Sequence, residues 1–104
     1  MEPVEEPTPD PRLAEPLASA TPEEREALLR ELVLQLAAEI LEAPDLDDES
    51  NFVETGLTSL RALQLSKGLM NDTGIEAPLV AIVEHPTPSL LGKYLAEAYE
   101  ADAD

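Results

Sequence analysis

The 104-residue sequence contains no cysteine and no tryptophan, and aromatic residues make up only 3% of it. The absence of cysteine excludes disulfides, thiol nucleophiles and thiolate metal sites. With so few aromatic side chains, any core must be built mainly from Leu, Val, Ile and Ala. A chain of this length and composition predicts one small domain held together by aliphatic packing.

Basic residues are also scarce, because six Lys and Arg stand against 23 Asp and Glu, for a formal net charge of -17. Such a chain repels the phosphates of nucleic acids and anionic lipids, so neither is an expected partner. No apolar run approaches the ~20 residues that span a bilayer. The first ten residues, MEPVEEPTPD, lack the basic and apolar regions of a signal peptide. These features predict a cytoplasmic protein with protein partners.

Metal and hydrolase sites are not supported by the residue spacing. A single histidine, His85, without cysteines leaves no credible zinc site. In an EF-hand reading that begins at Asp45, the required glycine and glutamate are replaced by Ser50 and Gly56. Ser59 lies in G-L-T-S-L and not in the G-x-S-x-G of hydrolase elbows. We therefore expect no bound metal and no catalytic residue.

The apolar spacing predicts an all-α fold, a small four-helix bundle with three main helices and one short helix. The first helix is predicted over 22–43, since Thr21 and Glu24 form a capping box and Pro44 stops it. The second is predicted over 59–71. The short helix lies in 77–86, and the last begins after Thr87, with Pro88 at its first position.

Three segments outside these helices carry their own predictions. Residues 1–20 are rich in proline and acid, which predicts a disordered linker or tail before a domain over 21–99. Residues 100–104 are expected to form an acidic C-terminal tail. The connection 44–57 lacks periodicity, and its apolar residues Phe52 and Leu57 are expected to pin it.

The second predicted helix has one apolar and one polar face. Its buried line is predicted to be Ala62, Leu65 and Leu69, widened by Leu60, Leu63 and Met70. The opposite, exposed line is predicted to be Arg61, Gln64, Gly68 and Asn71. Between residues 59 and 71 this helix carries two basic residues and no acid, which is unusual in so acidic a chain.

Ser59, at the predicted start of this helix, has two possible roles. A serine in this place is often the N-cap, but the adjacent Thr58 can cap equally well. A hydroxyl at a helix start lies beside unpaired N–H groups and the positive end of the dipole, which stabilise a phosphate ester. With Leu57 and Leu60 expected to anchor the chain on either side, Ser59 is a candidate for modification in trans.

The stretch ETGLTSLRALQL resembles the motif that opens the second helix of acyl carrier proteins, especially carrier domains of modular polyketide synthases. In that family the motif is G-[hydrophobic]-D-S-L, and Ser59 falls at its attachment serine. Downstream, EAPLVAIVEHPTPSLLGKYL is similar to the family's LPATLVFDHPTPxxLAxxL, with Pro78, His85, Pro86 and Thr87 at the expected places. The resemblance covers roughly residues 22–99.

The resemblance implies a non-catalytic carrier with 4′-phosphopantetheine attached covalently to Ser59. A phosphopantetheinyl transferase would supply this group from coenzyme A. The arm would hold polyketide acyl groups as thioesters and present them to a ketosynthase, an acyltransferase and tailoring enzymes. As an isolated domain the chain is expected to be a monomer. Three alternatives remain open: a helical docking module without a prosthetic group, a peptidyl carrier of a nonribosomal peptide synthetase, and a small hydrolase.

The sequence departs from the family pattern at two places. Thr58 replaces the aspartate before the serine, and Gln64 replaces a glutamate common in the second helix. The second predicted helix is therefore net positive, whereas the corresponding helix of fatty-acid carriers is acidic. The residues predicted to face partner enzymes surround the serine or lie on the short helix: Leu57, Thr58, Leu60, Arg61, Gln64, Val80 and Ile82.

Overall fold

The computed structural model describes residues 14–103, with side chains described over 15–101. Within this range the regular structure is entirely helical. In chain order the helices are α1 (Ala14–Ser19), α2 (Pro22–Ile40), α3 (Phe52–Thr55), α4 (Ser59–Thr73), α5 (Leu79–Glu84) and α6 (Pro88–Ala103). The predicted all-α bundle is confirmed, and α1 and α3 are additions to it.

Helix α2 begins as its sequence predicts. The Thr21 hydroxyl accepts a hydrogen bond from the Glu24 N–H, and the Glu24 carboxylate accepts one from the Thr21 N–H, both at 3.1 Å. The helix ends at Ile40, earlier than the predicted residue 43. Glu42 adopts φ 55°, a left-handed conformation that stops the helix two residues before Pro44.

The core lies where α2 packs along α6, with α4 closing the other side of α2. It is aliphatic except for Phe52, as the composition predicts. Its fully buried large side chains come from all six helices and include Leu17, Leu29, Val33, Phe52, Leu65, Leu69, Ile82, Leu91 and Leu95. Burial of each such side chain removes apolar surface from water, and this is the main force that assembles the bundle.

The expected disordered segment over 1–20 requires correction for the part that is described. Residues 14–19 form α1, and Leu17 in its middle is fully buried. The Arg25 guanidinium donates hydrogen bonds to the carbonyl oxygens of Leu17 and Ala20, both at 3.0 Å. Tertiary contacts thus order a segment whose composition favours disorder; residues 1–13 lie outside the described range.

The acidic end of the chain also differs from expectation, because α6 continues to Ala103. The Glu100 carboxylate lies 3.2 Å from Arg25 Nη1, and the Arg25 guanidinium stacks over the Tyr99 ring at 4.6 Å. These contacts extend α6 past residue 99. Asp104 lies outside the described residues.

The connection between α2 and α4 is pinned as predicted, through Phe52. Its side chain is fully buried, and its N–H donates to the Pro86 carbonyl oxygen at 2.7 Å. The Ser89 N–H donates to the Asp48 carbonyl oxygen at 3.0 Å, which ties the same loop to α6. None of the helices in residues 14–103 is long and apolar enough to cross a membrane.

Candidate functional site

The start of α4 is capped by Thr58 and not by Ser59. Thr58 has extended backbone angles, φ -116° and ψ 172°, and its hydroxyl accepts a hydrogen bond from the Arg61 N–H at 3.2 Å. This is the geometry of an N-cap residue. Ser59 is consequently the first residue of the helix, and its hydroxyl does not take part in capping.

The Ser59 hydroxyl is exposed and has no hydrogen-bond partner among residues 14–103. In the same range, the backbone N–H groups of Ser59 and Leu60 are also unpaired, as expected in the first turn of a helix. They lie at the positive end of a 15-residue helix. A negatively charged group bonded to the Ser59 oxygen would meet favourable dipoles here.

The chain reaches Ser59 through a tight turn at Gly56. Gly56 ends α3 with φ 113°, a conformation that a side chain would strain. The Leu57 N–H donates to the Phe52 carbonyl oxygen at 3.0 Å, and the half-buried Leu57 side chain packs against the core. Leu57 therefore anchors the approach to Ser59, as the sequence predicts.

Arg61 makes a contact that the sequence did not predict. Its Nη1 donates to the Gly56 carbonyl oxygen at 3.2 Å, across the turn that carries Ser59. The side chain is half-buried, and its guanidinium lies over the bare face of Gly56. A contact between residues five apart across a helix start leaves no periodic pattern in the sequence. The sequence therefore indicated only that a basic residue stands at this position.

The two faces of α4 differ in part from the prediction. Ala62, Leu65 and Leu69 are buried as predicted. Leu60, Leu63 and Met70 are exposed by 64%, 40% and 42%, so they do not widen the buried arc, and Leu60 does not anchor the chain. The reason is helical geometry, because Leu60 lies about 160° from Ala62 at ~100° per residue.

The exposed row of α4 is also shifted. Gln64 and Asn71 are exposed as predicted, whereas Arg61 and Gly68 are only half-exposed. The fully exposed row consists of Leu60, Gln64, Lys67 and Asn71. This row starts at Leu60, directly after Ser59, and so combines an exposed apolar side chain with the ammonium group of Lys67.

Helix α5 presents one of its two candidate partner residues. Val80 is 60% exposed, whereas Ile82 is fully buried. The assignment of Ile82 to a partner-facing surface is therefore wrong, since successive side chains of a short helix turn toward different sides and Ile82 belongs to the core. The Ser66 hydroxyl donates to the Ala77 carbonyl oxygen at 2.7 Å and so fixes the entry to α5.

His85 has a structural role at the end of α5. Its Nδ1 lies 2.8 Å from the Ala81 carbonyl oxygen, and its ring packs against Tyr94 with 4.9 Å between centroids. The described residues contain no strand, so Ser59 does not stand on the strand-to-helix turn of a hydrolase. Over the same range no group of three His, Asp or Glu residues could hold a metal ion.

Comparison with protein-family models places residues 31–95 in the family described as "Phosphopantetheine attachment site". The matched range includes the start of α4 and the whole of α5. It covers more than half of the chain.

The curated relatives of the chain include several polyketide synthases. The chain is 37% identical over 99% of its length to erythronolide synthase EryA2 of Saccharopolyspora erythraea. It is 40% identical over 84% of its length to the spectinabilin polyketide synthase system protein NorC of Streptomyces orinoci. The matched part is only 3% and 4% of those two proteins.

Among solved structures, the fold is similar to one described as the "A1-type ACP domain from module 5 of MLSA1". The TM-score is 0.75 at 36% identity, and the match covers 84% of this chain and 90% of that one. The likeness therefore extends over nearly the whole of a single carrier domain.

Proposed function

Because this chain belongs to the phosphopantetheine attachment-site family, we propose that it is the acyl carrier domain of a polyketide synthase and that Ser59 is its attachment residue. The family resemblance drawn from the sequence is confirmed, and with it the cofactor, a covalent 4′-phosphopantetheine from coenzyme A. Members of this family carry groups and do not catalyse reactions.

The observation that carries the proposal is the setting of the Ser59 hydroxyl. It is exposed and unpartnered within the described residues, and Thr58 satisfies the cap next to it. The unpaired N–H groups of Ser59 and Leu60 suit a phosphodiester at this oxygen. The residues present therefore fit the prosthetic group, whose terminal thiol supplies the thioester chemistry of an acyl carrier.

Attachment is a group transfer that another enzyme must catalyse. The Ser59 oxygen forms a bond to the pantetheine phosphate, the pyrophosphate bond of coenzyme A breaks, and the nucleotide half leaves. The hydroxyl proton must pass to a base of the transferase, because no basic or acidic side chain of the described residues forms a hydrogen bond with Ser59. A phosphopantetheinyl transferase is accordingly the first proposed partner.

The proposed cargo is a polyketide acyl group, since the relatives are polyketide synthases. This also favours polyketide carriage over the peptidyl-carrier alternative. The proposed downstream partners are a ketosynthase, an acyltransferase and tailoring enzymes, which share the tethered acyl group. Tethering raises its local concentration at each active site in turn. The monomeric state and the cytoplasmic location inferred from the sequence stay predictions.

The surface proposed to meet these partners surrounds the modified serine. From the α4 start it includes Leu57, Thr58, Leu60, Arg61 and Gln64, and from α5 it includes Val80. Leu60 and Val80 are large apolar side chains exposed by 64% and 60%. Large exposed apolar side chains are typical of protein-binding surfaces.

The direct test is modification of the purified chain. Incubation with coenzyme A and a promiscuous phosphopantetheinyl transferase is expected to add one phosphopantetheine mass to the wild type, measured by intact mass spectrometry. Ser59→Ala is expected to gain nothing and to keep the helical circular dichroism of the wild type. Ser66→Ala is the matched control, because it removes a serine of the same helix and should still be modified.

Two results would contradict the proposal in different ways. A wild-type chain that gains no mass would favour a docking module without a prosthetic group. A Ser59→Ala variant that is still modified would leave the carrier function intact and move the attachment residue elsewhere.

A further inference from the structure

We propose that Arg61 is a positioning residue that holds the Gly56–Ser59 turn so that the Ser59 hydroxyl faces the modifying enzyme. This inference rests on the proposed function, because it assigns a task to a residue beside the attachment serine. It differs from the sequence-based reading of Arg61, which treated it as a surface charge that selects partners.

Arg61 makes two hydrogen bonds to the turn that precedes Ser59. Its backbone N–H donates to the Thr58 hydroxyl at 3.2 Å, and its Nη1 donates to the Gly56 carbonyl oxygen at 3.2 Å. The second contact satisfies a carbonyl at the end of α3, where the helix leaves its acceptors unpaired. Through one residue, the end of α3 is thereby linked to the first turn of α4.

The position of the guanidinium supports the same role. A Cβ atom placed on Gly56 would lie 3.4 Å from Arg61 Nη1, so the guanidinium packs directly over the glycine. Gly56 has φ 113°, and in the segment from Gly56 to Ser59 only the Leu57 side chain packs against the core of the described residues. Removal of the guanidinium is therefore expected to loosen this turn while the rest of the bundle stays intact.

Lys67 provides a control that separates the effect of the Arg61 contact with the turn from the effect of losing a positive charge. It is the other basic residue of α4 and is exposed, and no hydrogen bond or ion pair involves it among the described residues. Arg61→Met and Lys67→Met remove the same formal charge from the same helix. Only the first also removes a donor to the turn that carries Ser59.

The experiment measures kcat and KM for phosphopantetheine transfer to the apo chain, with coenzyme A and the transferase used above. Arg61→Met is expected to lower kcat by about tenfold and to leave KM within about twofold, because a misplaced nucleophile slows the step after binding. Arg61→Lys should recover part of this loss, since an ammonium group also donates to carbonyl oxygens. Lys67→Met removes a surface charge and no donor to the turn, so its effect is expected in KM and not in kcat.

Amide hydrogen exchange gives a second readout. Arg61→Met is expected to speed exchange at residues 57–60 and to leave the core of α2 and α6 protected as in the wild type. The role is overturned if Arg61→Met changes KM alone, as a lost recognition charge would, or if it matches Lys67→Met in both kinetics and exchange. A wild type that accepts no phosphopantetheine would instead refute the carrier function itself, so the two failures are distinguishable.

Discussion

At the scale of single residues, two glycines inside helices stand in opposite surroundings. Gly92 of α6 is buried, and a Cβ atom placed on it would lie 2.7 Å from Arg30 Cα and 2.9 Å from Arg30 N. Gly68 of α4 meets only the Leu36 methyl groups, at 3.4 and 3.6 Å. The first glycine allows α2 and α6 to approach each other, whereas the second offers room for one more methyl group.

Gly92→Ala is therefore expected to lower the free energy of unfolding by about 2 kcal/mol, the range of overpacked cores. Gly68→Ala is expected to raise it by up to about 1 kcal/mol, because alanine favours helix over glycine. Urea unfolding followed by circular dichroism measures both. Equal effects of the two substitutions would contradict the close approach of the helices at Gly92.

At the same scale, the sequence offered Ser59 and Thr58 as equal candidates for the cap, because both hydroxyls stand at the helix start; the backbone angles of Thr58 assign the role to it. The sequence placed Ile82 wrongly because a six-residue helix is too short for its apolar spacing to define one buried side. The Arg61 contact could not be predicted, since it depends on the path of the chain through Gly56.

At the scale of elements, the long helices were predictable and the short ones were not. Helices α2, α4 and α6 carry caps and repeated apolar residues, which act locally. Helices α1 and α3 have six and four residues, lengths at which isolated helices are not stable in water. Leu17 and Phe52, each fully buried, stabilise them through contacts that are distant in sequence.

Arg25 is the residue that joins α1 to the bundle, and its replacement tests this attachment. Arg25→Met removes two hydrogen bonds to carbonyl oxygens of residues 17 and 20 and the pair with Glu100. We expect a loss of about 2 kcal/mol in the free energy of unfolding, because the guanidinium is nearly buried and leaves carbonyls unpaired. Amide exchange over 14–20 should become faster.

The matched control is Arg30→Met, also on α2. Arg30 Nε lies 3.5 Å from the Asp48 carboxylate, with both side chains partly exposed, so about 0.5 kcal/mol is expected. A chain that begins at residue 21 is expected to unfold at a lower urea concentration than one that begins at residue 14, because it lacks α1 and the buried Leu17. Equal unfolding midpoints of these two chains would show that α1 is not part of the folding unit.

At the scale of the whole molecule, charge and apolar exposure are unevenly distributed. The large apolar side chains that are exposed in the described part of the chain all lie between Val53 and Leu90, on α3 to α6. Helix α2 contains five glutamates and two arginines, whereas α4 contains two basic residues and one aspartate. In a chain of net charge -17, the proposed attachment serine thus lies at the start of a weakly basic helix that exposes several apolar side chains.

This distribution predicts partners whose docking surfaces combine apolar side chains with acids that face Lys67. Replacement of Lys67 tests the role of the charge more directly than replacement of Arg61, because Arg61 also donates a hydrogen bond to the Gly56 carbonyl oxygen. Lys67→Glu is expected to lower kcat/KM for acyl exchange with the cognate ketosynthase by about tenfold at low salt, and the deficit should shrink as salt screens the charge. Leu60→Ser should lower it at every salt concentration, because an apolar contact is not screened.

Glu39→Lys on α2 is the matched control for this prediction, since it reverses an exposed charge that has no partner among the described residues. It is expected to change kcat/KM by less than about twofold. Each variant must first be loaded fully with phosphopantetheine and checked by intact mass, so that docking is measured apart from modification. A larger effect of Glu39→Lys than of Lys67→Glu would place the docking surface on α2 and remove the proposed role of the basic surface of α4.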